Sequence, residues 1–261
     1  NVINQQKQQL KQLQNTTKTQ SIDNVENIKN KKEIISKQYT TPDIKHDNND
    51  KNIKNQQKEL LNAEMKIQKS EKEFAQLLKD NEQTDFVVNM RFYNETTERV
   101  LNKNLSVPFV YNRDLDVIEY NPFADNFEKY NLIYVQAHEL AHRMDELQYR
   151  SWENDKFIKA VENTMEKIYN NSDIIKSWFA ISGKYENDVA FSDIFSALSK
   201  GELNDILTAG HPVGYWLKSD ERIYMEIFAN ISSIDNLNLK SKAELNGILS
   251  EIYEAYKELT Q

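Results

Sequence analysis

Residues 135–145, running from Val135 to Asp145, constrain this chain more than any other stretch, because they contain the pattern His-Glu-x-x-His. An α-helix repeats every 3.6 residues, so positions four apart lie on one face, a turn apart. His138 and His142 then offer two neutral imidazole nitrogens to one point, as a zinc ion requires. Glu139 stands beside the first of them, where a carboxylate can take a proton from a metal-bound water. Leu132, Ile133, Val135, Ala137, Leu140, Ala141 and Met144 make the surrounding helix apolar over much of its circumference. Such a helix is buried, and buried histidines with a buried glutamate need partners. Hydrogen bonds inside an ordinary core would serve, but a metal fits the spacing better.

The rest of the composition narrows the ligand set. The chain has no cysteine, so a transition metal here must be held by histidine and carboxylate alone. Its 261 residues suffice for one large or two modest domains with a sizeable core. The net charge of −8 excludes a general affinity for nucleic acid. That charge is uneven: residues 1–80 carry 15 Lys against 11 acidic groups, while the remainder carries 18 Lys and Arg against 30 acidic groups. No apolar run is long enough to span a bilayer, so no membrane partner is expected. No signal peptide is visible and the first residue is Asn1, which suggests a processed or trimmed piece of something longer.

The pattern of apolar residues predicts an α+β chain, mostly helical. Residues 1–57, rich in Asn, Gln, Lys and Thr, are too polar to bury a core and read as an extended or partly disordered segment, with His46 in a solvated loop. Residues 58–84 read as an amphipathic helix with a heptad-like stripe of Leu60, Ala63, Ile67, Ser70, Phe74 and Leu77. That stripe suits docking on the same chain or a coiled-coil partner. Residues 85–261 form the metal-binding domain. A small sheet opens it, with strands expected at Phe86–Tyr93, Val107–Tyr111 and Asp116–Tyr120 and a short helix from Asn94 through Leu101. The motif helix follows, from about Asn126 to Gln148. Further helices are expected from Trp152 to Tyr169, Ile174 to Ile181, Val189 to Leu198, Glu221 to about Ser232 with Ser219 or Asp220 as cap, and Ala243 to Leu259.

A catalytic zinc usually has three protein ligands and keeps a fourth position for water. Among downstream residues Glu226 is favoured, because Ile223, Ile227 and Phe228 make its helix largely buried and an unpaired carboxylate there would be costly. Asp193, Asp188 and His211 are the alternatives. Asn230, one turn beyond Glu226, could accept a hydrogen bond from a ligand imidazole. Asp145 could hydrogen-bond a ligand histidine or close the helix with Arg143. The tetrahedral oxyanion of acyl transfer needs a donor besides the metal, and Tyr215 or His211, in the loop Gly210-His211-Pro212-Val213-Gly214-Tyr215-Trp216, could supply it. Plain packing would also account for that loop.

The ordered set of His138 to Asp145, Ser192 to Leu198, Gly210 to Trp216, and Glu226 with Phe228, Ala229 and Asn230 resembles the zinc-peptidase-like domain of tailed-phage minor head, or head morphogenesis, proteins. It also resembles the wider gluzincin class, in which a glutamate on a later helix is the third ligand. The resemblance covers roughly residues 85–235. It implies a zincin-type fold with His138, His142 and Glu226 as ligands of Zn2+ and Glu139 as the base. It implies a peptide or protein substrate aligned on the strand before the motif helix. It further implies a virion or host-cytoplasmic setting, with capsid or portal proteins as partners through the N-terminal helix. The expected function is a zinc-dependent endopeptidase. A structural head protein with a silent module, or an injected or secreted toxin peptidase, are the alternatives.

Overall fold

The computed structural model describes residues 50–80, 98–124, 127, 131–171, 177, 189–204, 207 and 210–261. The chain divides into two units, 1–50 and 51–261, and nearly all described residues belong to the second. Of the polar segment expected at 1–57, residues 1–49 with His46 lie outside the described residues, while residues 50–57 open a helix instead of an extended stretch, carried by the helix that continues to Asp80. The strand expected at Phe86–Tyr93, all but Ser177 of the helix expected at Ile174–Ile181 and the alternative ligand Asp188 also lie outside them.

The described part is α+β and mostly helical, with a small sheet ahead of most of its helices. Helix α1, Asp50–Asp80, is followed by strands β1 (Glu98–Leu101), β2 (Phe109–Asn112) and β3 (Val117–Tyr120). The sheet has three strands in the order β1-β3-β2, with β1 parallel and β2 antiparallel to β3. Helix α2, Leu132–Met144, carries the His-Glu-x-x-His residues, and a π-helical turn, Asp145–Tyr149, continues it. Then come a 3-10 turn at Ser151–Glu153 and helices α3 (Asp155–Asn170), α4 (Val189–Leu198), α5 (Val213–Trp216), α6 (Glu221–Asn236), α7 (Lys242–Leu245) and α8 (Ser250–Thr260).

Three differences from the sequence expectation have physical causes. Residues 98–101 form β1 rather than the end of a helix, because Glu98 to Leu101 pair in parallel with Val117 to Tyr120. That partner lies too far along the chain for local propensity to reveal it. β3, the strand on which the resemblance aligns a substrate, is the middle strand of the three; among the described residues the outer strand next to α2 is β2, which pairs with β3 alone. The expected C-terminal helix is two helices, since α7 ends at Leu245 and α8 begins at Ser250, on either side of Gly247. Of the two expected caps for α6, Ser219 serves: its Oγ accepts from the Glu221 N–H at 3.2 Å, while Asp220 makes no side-chain cap.

The amphipathic stripe of α1 is turned inward, burying Ala63, Ile67, Ser70 and Phe74. Ser70 Oγ donates to Gln136 Oε1 of α2 at 3.1 Å. Arg99 of β1 pairs with Glu71 at 2.9 Å and with Glu64 at 3.4 Å. The helical core centres on α6, whose Ile223, Ile227, Phe228, Ile231 and Ile234 are buried and which packs against both α2 and α4. Elements bearing the sequence motifs therefore meet on one central helix.

Candidate metal centre

Helix α2 positions the first two ligands. Asn131 caps it by accepting from the N–H groups of Ile133 and Tyr134, which fixes the helix phase. The Nε2 atoms of His138 and His142 lie 3.0 Å apart, with the rings edge-on at 4.6 Å between centroids. Glu226 comes from α6, and its Oε2 lies 3.2 Å from His138 Nε2 and 3.4 Å from His142 Nε2. That oxygen is buried yet oriented as a hydrogen bond to neither imidazole. The two imidazole nitrogens are within hydrogen-bond distance of each other, and the buried carboxylate oxygen beside them has no hydrogen-bond partner among the described residues. Tetrahedral ligands held at about 2.0–2.1 Å from a zinc stand about 3.3 Å from one another, so the observed spacing fits one cation among the three. His138, His142 and Glu226 are accordingly placed to hold a metal ion.

The electrostatics match that reading. Burial would lower the His142 pKa, but Glu226, Glu139 and Asp145 outweigh it and lift it to about 9. Burial would raise Glu226, but His142, with His138 and His211 close by, holds it well below the usual carboxylate range. The pocket favours positive charge, carried by a proton or a metal. Nδ1 of each motif histidine is buried without a protein hydrogen-bond partner, so packing sets the ring positions; Tyr134 lies 5.9 Å from the His138 ring.

Glu139 is held from the sheet. Its Oε2 accepts the backbone N–H of Tyr111 at 2.7 Å. Pro108 C=O accepts from Asn121 N–H at 2.8 Å, and the alternation of an antiparallel ladder then turns the backbone of Phe109 and Tyr111 toward the outer side of β2. The strand edge and the glutamate are therefore in direct contact. Arg143 fixes the same corner, donating to both Asp116 oxygens at 2.8 and 3.1 Å, while Tyr111 Oη donates to Asp116 at 3.0 Å. Asp116 itself has φ 53°, a left-handed conformation that Asp tolerates better than most residues.

The remaining sequence candidates gather on the far side of Glu226. Tyr215 donates to Glu226 Oε1 at 2.6 Å and stacks on His211 at 4.0 Å between centroids. His211 Nε2 lies 3.4 Å from Glu226 Oε1 and 4.0 Å from Asp193 Oδ2. Its side chain is 37% exposed, against 4% for Glu226. Asn230 plays a different part from the one expected. Its amide donates to Asp193 Oδ2 at 2.9 Å and to the Glu226 carbonyl at 2.8 Å, and its Oδ1 accepts from Tyr134 Oη at 2.6 Å. It reaches no ligand imidazole directly. Asp145 likewise meets no histidine by hydrogen bond; it accepts the Ser151 N–H at 2.8 Å and Ser151 Oγ at 2.6 Å, tying the end of α2 to the next turn. Tyr111, Tyr134, Asp116 and Ser151 were not foreseen as site residues. Only Tyr134 carried a sequence signal, lying four residues before His138 and eight before His142 on the ligand face.

No protein-family model, no curated protein and no solved structure matches this chain. The chemistry of the centre rests on its own geometry.

Proposed function

We propose that this chain is a zinc-dependent endopeptidase of the kind resembled by its motifs, the zinc-peptidase-like domain of tailed-phage minor head proteins. The reading rests on one observation. Two histidines of a His-Glu-x-x-His helix and a buried glutamate from a distant helix bring Nε2, Nε2 and Oε2 within 3.0–3.4 Å of one another, with Glu139 beside them.

A zinc ion on His138, His142 and Glu226 would acidify a bound water and polarise a peptide carbonyl. The protein's own groups supply the rest. Glu139 is the base and later passes the proton to the leaving amine. Its Oε2 is oriented by Tyr111, and no other group among the described residues hydrogen-bonds that carboxylate, so Oε1 keeps its lone pairs for the proton. An extended substrate would lie along the outer side of β2, next to that base, meeting main-chain groups of the strand other than the Tyr111 N–H, which Glu139 holds. Tyr215 is engaged with Glu226 and holds that ligand in place. His211, more open, is the donor for the developing oxyanion when a single metal is bound; its pKa is raised because Glu226 and Asp193 outweigh its burial.

A phage-head or prophage setting, in the virion or the host cytoplasm, follows from the resemblance alone. Among the described residues no helix is long and apolar enough to cross a membrane. Because the stripe of α1 is used internally, contact with capsid or portal proteins would fall on its outer face, where Leu61 and Met65 are exposed.

The decisive experiment compares wild type with Glu139→Gln on a denatured protein substrate, with zinc content measured on both. Activity in wild type, a loss of about 10²–10⁴-fold in the variant and unchanged zinc would support the peptidase. A variant as active as wild type, or a wild type that binds no zinc, would remove it and leave the structural reading.

A further inference from the structure

Glu226 presents its two oxygens to two different groups of side chains. Oε2 faces His138 and His142; Oε1 faces His211 and Tyr215. The second side includes Asp193 of α4, held by Asn230, and the three residues Asp193, His211 and Glu226 converge as closely as a metal site requires. Their spacing is awkward for an ion pair. His211 Nε2 is 3.4 Å from Glu226 and 4.0 Å from Asp193, beyond the 2.7–2.9 Å or so of a charge-assisted hydrogen bond. The Asp193 side chain is 9% exposed, and among the described residues His211 is the sole cation-forming group within 4.0 Å of it. Two carboxylates buried this close repel unless positive charge lies between them. Ligands around one divalent ion stand about 3–4 Å apart; His211 stands at that distance from both carboxylates, and the ligand atoms of all three residues lie within 4.8 Å of one another.

We propose that Asp193, His211 and Glu226 form a second divalent-cation site, and that Glu226 bridges it to the first. This rests on the reading of His138, His142 and Glu226 as the first site. Two oxygens and one imidazole, with no thiolate in the chain, suit a first-row transition dication such as Zn2+, Mn2+ or Co2+. A carboxylate bridge of this kind joins metals about 3.5–4 Å apart. Tyr215 occupies one lone pair of Oε1 and leaves another for the cation. The second site lies on the open side of the centre, where His211 is partly exposed, so it fills last and empties first. Its occupation has a chemical consequence: an Nε2 bonded to a cation no longer donates to an oxyanion. Excess metal therefore suppresses the peptidase while leaving the first site loaded.

The test is a zinc titration of the untagged, metal-stripped full chain against a chromophoric chelator, on wild type, Asp193→Asn and His211→Ala. Wild type takes two equivalents, the second about tenfold or more weaker, and each variant takes one with the first affinity within a few-fold of wild type. Circular dichroism confirms that both variants are folded, and His211→Ala, at a partly exposed position, is the safer of the two. Wild type saturating at one equivalent overturns the bridge and leaves the peptidase reading standing. Two equivalents retained by both variants overturn it as well. No zinc bound to wild type removes both readings together.

Discussion

At the scale of single residues, the centre packs two imidazoles against a buried carboxylate oxygen that has no hydrogen-bond partner among the described residues, and its behaviour without metal follows from His142. Its pKa in the folded chain is lifted to about 9, against about 6.5 unfolded. A raised pKa means the folded state holds the proton more tightly, so the contribution to stability is complete below about pH 6.5 and is lost as pH rises through about 9. Thermal melts of metal-stripped protein should therefore fall between those limits, and the fall should shrink in Glu226→Gln, which removes the principal negative partner. Zinc-loaded protein should show no such fall, because the metal replaces the proton. A flat profile for the stripped wild type would mean that His142 is neutral and that the charge balance of the pocket lies elsewhere. Asn230 makes a second residue-level prediction. It is fully buried and joins Tyr134, Asp193 and the Glu226 carbonyl. Asn230→Ala should cost about 1–3 kcal/mol in denaturant unfolding and weaken zinc binding by about 10–100-fold. Unchanged zinc affinity would show that Asp193 and Glu226 hold their places without it.

At the scale of elements, what could be read from the sequence divides by how local its cause is. The apolar stripe of α1 was legible because Ala63, Ile67, Ser70 and Phe74 repeat with the helix, though not what it would pack against, and α4 matched its expected limits because Ala190, Phe191, Ile194, Phe195, Ala197 and Leu198 recur at helical spacing around its polar residues. The ligand helix was legible in type but not in extent, since α2 begins only after its Asn131 cap and passes into a π-helical turn at Asp145. Glu226 stood out because a carboxylate among Ile223, Ile227 and Phe228 needs a partner wherever the fold places it. The sheet was less legible. Which strand is central depends on pairing between segments, and neither β1 nor the contact from Tyr111 to Glu139 leaves a mark in local periodicity. The division of Asp193 and His211 from the first ligand set was also hidden, because it depends on which oxygen of Glu226 each side chain meets. The docking of α1 can be checked directly. Phe74 is 1% exposed, whereas Leu61 and Met65 are 61% and 53% exposed. Phe74→Ala should lower unfolding free energy by about 3–5 kcal/mol, and alanine at Leu61 or Met65 should change it by less than about 0.5 kcal/mol. Equal small effects at all three would mean that α1 is not part of the folded unit in solution.

At the scale of the whole molecule, the centre is also a structural joint. The residues placed to hold a metal come from α2 and α6, Asp193 of α4 lies within 4.0 Å of His211 beside them, and Glu139 ties α2 to β2 through Tyr111. A metal that binds only the folded arrangement stabilises everything those elements hold together. For a ligand that ignores the unfolded chain, the gain is about 4 kcal/mol at a free concentration a thousand times its dissociation constant. In a domain of this size each kcal/mol moves the midpoint by about 2–4 °C. Chelation should then lower the melting temperature by about 8–16 °C, and added zinc should restore it. Glu226→Ala, lacking the ligand from α6, should melt low and respond little to zinc. Glu139→Gln, which keeps all three candidate ligands, should respond as wild type does even though the proposed peptidase loses its base in it. This separates the two roles of the motif: a shift present in Glu139→Gln and absent in Glu226→Ala assigns the joint to the metal ligands. A shift absent from wild type would mean that the elements meet at this point without a metal's help, and the convergence of His138, His142 and Glu226 would then need another explanation.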